Sequence, residues 1–137
     1  MTDVSTTNDW VTTNLELLRS RYPELDMRVD NAVHWVRIAM VTLSTAIWTV
    51  ESVEVAFRIP SNAGEAPYAF WVHPGVALHS GGPINNYTHP TPTPWGPDWG
   101  QFSFAPGDPW QPKADVHSGV NMLDFVRGIG RRLEEGA

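Results

Sequence analysis

Apolar positions recur along this chain in two rhythms. Between residues 8 and 21, Val11, Leu15 and Leu18 stand at helical spacing with polar residues between them, and Asn8 or Asp9 is placed to cap the first turn. Pro23 bars continuation, so the spacing predicts a helix over 8–21. The period then drops to two. Leu25, Met27 and Val29 alternate with Asp26, Arg28 and Asp30, predicting a half-buried strand that ends in an Asp30-Asn31 turn. A second strand is predicted from Val33 to Leu43, and a third where Val53, Val55, Phe57 and Ile59 alternate with Glu54, Ala56 and Arg58. A fourth, Tyr68 to Val72, stops at His73-Pro74. Strands and turns in this order predict an antiparallel meander.

From Gly75 to Gly119 the pattern predicts a long irregular loop, with Phe102-Ser103-Phe104-Ala105 as one short extended piece. Regular spacing returns in a closing helix from Val120 to Glu135, whose predicted buried stripe is Met122, Val126, Ile129 and Leu133. Arg131 and Arg132 complement the negative end of that helix. Gly128 and Gly130 each cost the helix up to about 1 kcal/mol relative to Ala, so close packing against the sheet is expected there. The fold class expected is α+β: N-terminal helix, four-stranded antiparallel meander, long irregular loop, C-terminal helix. Residues 1–137 are read as a single domain, with 1–7 a flexible N-terminal tail.

Charge narrows the partners. Nine Lys+Arg against fifteen Asp+Glu give −6, which argues against nucleic acid, and the one cationic cluster, Arg127, Arg131 and Arg132, reads as a solvated helix face. The apolar stretch from Ala32 to Val50 contains His34 and Arg37 and makes a poor membrane span. MTDVSTTND has no basic region followed by an apolar core, so a cytoplasmic protein is expected. The absence of cysteine excludes disulfides, thiolate metal sites and a thiol nucleophile.

The half of the chain richest in proline and glycine also holds most of its candidate chemistry. His73, His79 and His89 form a candidate metal set, without the helical His spacing or carboxylate of a familiar zinc motif. In TPWGPDWGQF, Trp95 and Trp99 are either anchors for a partner or a lid folded back on the sheet. GGPINN lacks the ending of a phosphate loop, and no cofactor is expected.

The order of elements, with IPSNAGEAPYAFWV between the third and fourth strands, resembles the ubiquitin-conjugating enzyme fold. His73-Pro74 and His89-Pro90, then Trp110-Gln111-Pro112, then a helix, match that family's landmarks after its fourth strand, over about residues 8–135. The branch it resembles is a divergent bacterial one associated with ubiquitin-like modifiers. In the family the catalytic Cys lies eight residues before the Trp. Here that count gives Phe102, with Ser103 beside it between two aromatics. The family's oxyanion-stabilising Asn has Asn85 and Asn86 as its nearest candidates. The resemblance therefore implies a conjugating-enzyme-like protein without the catalytic Cys. It would bind a ubiquitin-like modifier or its activating enzyme through Trp95, Trp99, Phe102, Phe104 and Trp110. Two alternatives stay open. One is acyl transfer on Ser103, which needs a base because a hydroxyl is far less acidic than a thiol, with His117 and Asp108 as candidates. The other is a metal- or ligand-binding role for the loop histidines and tryptophans.

Overall fold

The computed structural model describes residues 2–62, 65–106, 110 and 119–137. Helix α1 spans Thr2–Arg21, beginning well before Asn8. It is followed by β1 (Asp26–Asp30), β2 (Val33–Thr42), β3 (Ser52–Ile59), β4 (Phe70–His73), β5 (Tyr87–Thr93), β6 (Gly96–Phe102) and α2 (Met122–Glu135). All strand pairs are antiparallel, in the order β1-β2-β3-β4-β6-β5.

The predicted meander is β1 to β4. The expected long irregular loop is corrected: it contains a hairpin, β5–β6, which adds two strands and gives a six-stranded sheet among the described residues. β6 pairs with β4, matching Phe70 to Phe102 and Val72 to Gly100, so the proline-rich β5 is left at the edge. That position reconciles Pro90 and Pro92 with a strand, because an edge residue without an N–H breaks no ladder on its open side.

The helices cover one sheet face. Val36 and Ile38 of β2, the alternate positions Val53, Val55, Phe57 and Ile59 of β3, Phe70 and Val72 of β4, and Phe102 of β6 are buried there. They meet Trp10, Val11 and Leu18 of α1 and Met122, Phe125, Ile129 and Leu133 of α2. Phe125 fills the core position expected for Val126, which is only half-buried. Asn14, fully buried, links the helices: its Nδ2 donates to the Trp10 carbonyl at 2.8 Å and its Oδ1 accepts from the Met122 N–H at 2.9 Å. Asn121 caps α2 by accepting from the Leu123 N–H at 3.0 Å and from the Asp124 N–H, while the Asp124 carboxylate accepts from the Asn121 N–H at 2.9 Å.

A separate aromatic layer covers the other face. Trp71 and Trp99 are buried there together with Ala56 and Ala69, beneath half-buried Trp35 and Trp95. No described helix is long and apolar enough to cross a membrane.

Candidate functional site

The Ser103 region is built where three segments converge. β6 ends at Phe102, and the following Ser103 N–H donates to the Asn86 carbonyl at 2.8 Å, one step beyond the Tyr87–Phe102 pair. On the other side the Phe104 carbonyl accepts from the Ala69 N–H at 2.7 Å. Phe102 and Phe104 turn inward. Phe102 is fully buried and stacks on Phe70 at 4.8 Å between centroids, while Phe104 packs edge-on to Phe70 and against Phe125. Ser103 between them is exposed, as alternation requires.

Thus the structure brings Ser103 and Asn86 together through their backbones, with both residues exposed and Asn86 in the left-handed region at φ 58°. Asn85 is held instead by Arg132, whose Nη2 donates to its carbonyl at 2.8 Å. His117 and Asp108 lie outside the described residues. Among the described residues, no histidine or carboxylate is hydrogen-bonded to the Ser103 hydroxyl.

Arg132 departs from its expected solvated position. It is 7% exposed, spans from the Asn85 carbonyl to the Gly136 carbonyl, and lies 4.9 Å over the Phe102 ring. A buried guanidinium is costly unless its donors are satisfied, and here carbonyl oxygens and an aromatic face do so. It ties the C-terminal end of α2 to the turn facing Ser103. The signal available in the sequence is its spacing, three residues after Ile129 and seven after Phe125, which puts it on the buried side of α2 and Arg131 on the opposite side. Arg127, by contrast, is open to solvent and pairs with Asp124 at 3.0 Å.

The three candidate metal histidines occupy different surroundings. His73 ends β4 with its ring 5.1 Å from Trp99 and its Nδ1 3.9 Å from Glu54. His89 lies 3.3 Å from Asp98 and packs against Gly75, where any Cβ would collide with its ring. His79 is exposed in the connection after β4, its N–H donating to the Ile47 carbonyl at 3.0 Å. Among the described residues, no three His, Cys, Asp or Glu are grouped to hold a metal.

Of the proposed aromatic anchors, Phe102 and Trp99 are core residues, and Trp110 is half-buried, meeting Trp10 edge-on at 6.5 Å. Trp95 folds back over the outer sheet face. Its Nε1–H donates to Asp26 at 2.8 Å, and Arg28 and Arg37 stack on its ring at 5.4 and 5.5 Å. The Trp95 N–H is the largest influence holding the Asp26 carboxyl below the usual carboxylate range, opposed by desolvation and helped by Arg37 and Arg28. Arg58 stacks on Trp35 and Trp71, at 5.6 and 5.0 Å. The period of β2 does not by itself separate its faces, because the outer one carries Val33, Trp35 and Ala39 as well as Arg37. The signal of this Trp–Arg layer was nevertheless present in the alternation of Trp35 and Arg37 with Val36 and Ile38.

A sheet with a leading and a trailing helix on one face is the arrangement that the resemblance to the ubiquitin-conjugating enzyme fold implies. Residues 11–134 match the family described as Prokaryotic E2 family E, and the chain belongs to that family. No curated protein and no solved structure matches it.

Proposed function

We propose that this E2-like protein works without thioester chemistry, by binding a ubiquitin-like modifier or its activating enzyme in a bacterial conjugation pathway, in the cytoplasm. The observation that carries this reading is the exposed Ser103 in a chain with no cysteine, beside a candidate Asn86 and with no described base at its hydroxyl. A thiol titrating near 8.5 forms a nucleophile and a leaving group at neutral pH, whereas a serine hydroxyl requires a base to act. The half-open Trp95 edge with Arg28 beside it supplies contact chemistry of the kind that anchors protein partners.

The test is calorimetric titration of the purified chain with any ubiquitin-like protein encoded in the same genome, and with the corresponding activating enzyme. Binding of either that survives Ser103→Ala is expected. Absence of binding to both at high micromolar concentration overturns the proposal.

A second reading is favoured by the exposure of Ser103 and its contact with Asn86. In it the Ser103 Oγ attacks the modifier's thioester carbonyl on the activating enzyme. An ester forms, the enzyme thiolate leaves, and the serine proton passes to a base. This reading requires an adduct that resists reductant, is cleaved by hydroxide and is lost in Ser103→Ala. Failure to trap one rejects it.

A further inference from the structure

The two edges of the sheet differ in kind. β5 carries Pro90 and Pro92, and its register against β6 shifts between Thr88 and Thr91 and again before Thr93. An edge interrupted in this way is poorly suited to receive another strand. β1 has no proline and pairs with β2 in unbroken register from Asp26 to Asp30. Asn31 and Ala32, at φ 53° and 65°, make a two-residue hairpin turn. The flanking pair Asp30–Val33 is then a hydrogen-bonded pair. By alternation Arg28 and Asp26 also bond to β2, which leaves the N–H and C=O of Met27 and Val29 aimed at the open edge. Val29 is 57% exposed, and only one other large apolar side chain among the described residues, Tyr68, is comparably open.

We propose that β1 is a self-association edge, pairing antiparallel with β1 of a second copy about a two-fold axis at Val29, so that two sheets become one. The charges select this register. Centring the pair on Arg28 sets Arg28 against its own copy and Asp26 against Asp30, with like charges throughout. Centring it on Met27 sets Glu24 against Asp30. That register also asks for an Asp26 already shared by Trp95, Arg28 and Arg37, and for a Leu25 N–H already donated to Tyr22. Centring it on Val29 places each Arg28 opposite the Asp30 of the other copy. Asp30 is exposed and in no ion pair among the described residues; Arg28 donates from Nη1 to the Pro94 carbonyl at 3.0 Å and holds its Nε 3.6 Å from Asp26, but half of its side chain stays open, with Nη2 in neither contact. The two Val29 side chains then face each other across the axis and cover one another. Such an interface is isologous and closes at two copies.

The absence of cysteine makes the test clean. A hydrogen-bonded antiparallel pair holds its Cα atoms about 5.5 Å apart, within disulfide reach. Under mild oxidation, Val29→Cys should give a covalent dimer far faster than Ser20→Cys, an exposed control on α1. Sedimentation of the native chain over a concentration series to about 1 mM should show a reversible dimer. Asp30→Arg, which turns two attractive pairs into repulsive ones, should weaken it about tenfold while leaving the circular dichroism unchanged. A native chain that stays monomeric throughout the series, or equal crosslinking at positions 29 and 20, overturns the proposal. An undiminished dimer in Asp30→Arg overturns the Val29 register.

Discussion

Two glycines in one helix should respond to the same substitution in opposite ways. Gly128 and Gly130 lie inside α2, and neither has a positive φ, so alanine fits the backbone at both. A helix interior favours Ala over Gly by about 0.8–1.0 kcal/mol. At Gly130 an added Cβ meets nothing within 4 Å, and it enters a recess of about 140 Å³ lined by Val41, Leu43, Ile47 and Leu133. Gly130→Ala should therefore realise the whole helix preference. For a chain of this length the unfolding entropy is about 0.29 kcal/mol/K, so the gain is a rise in Tm of about 3 °C. At Gly128 the Cβ would lie 3.2 Å from the Phe104 Cζ, and Phe104 is confined by Phe70 and Phe125 at centroid distances of 5.6 and 5.8 Å. Overpacking a confined ring costs about 1–3 kcal/mol, which cancels or exceeds the helix preference. Gly128→Ala should leave Tm unchanged or lower it, and urea unfolding should place the two variants about 1–3 kcal/mol apart. If Gly128→Ala stabilises as much as Gly130→Ala, the Phe104 contact is not what holds glycine at 128. If Gly130→Ala destabilises, the open recess is not open.

Three further outcomes follow from the packing and the charges. Phe102→Ala should cost about 3–5 kcal/mol in urea unfolding, because the ring is fully buried among Phe70, Trp48 and Tyr87, whereas Ser103→Ala next to it should stay within about 0.5 kcal/mol. Asn121→Ala should lower stability by about 1 kcal/mol through loss of the cap of α2, seen as a fall in Tm of a few degrees. Because the folded state holds the Asp26 carboxyl below its ordinary value, its contribution is complete above about pH 5 and is lost as the pH falls through the ordinary and then the depressed value. Asp26→Asn should flatten that acid limb in a fluorescence-monitored titration, and an unchanged limb would show that the Trp95 contact does not contribute to it.

What the sequence displayed and what it concealed divide along physical lines. β3 was legible because burial against the helices writes a period of two into Val53, Val55, Phe57 and Ile59, whereas the same alternation in β1 ends in Val29, which is exposed rather than half-buried. β2 blurred because both of its faces are covered, one by the helices and the other by the Trp–Arg layer. The β5–β6 hairpin was hidden by its prolines. Residues 90 and 92 argue against a strand until the strand is known to be the last in the sheet, and that order is set by the distant pairing of Phe70 with Phe102.

The candidate site was half legible for a related reason. The choice of Ser103 rests on a local count back from Trp110 that the resemblance supplies, and the structure adds that the residue is exposed. The meeting of Ser103 with Asn86 depends on a hairpin that local patterns did not reveal. Arg132 is the sharpest case. A cation in the last turn of a helix is ordinarily solvated, yet helical spacing from Phe125 and Ile129 puts Arg132, unlike Arg131, at the margin of the buried stripe. It becomes a buried clamp only because Asn85, 47 positions away, presents a carbonyl where Phe102 offers its ring. The residue that ties the final helix to the Ser103 segment is therefore set on the core side of α2 by helical spacing, and made a clamp by two long-range partners that no local pattern shows.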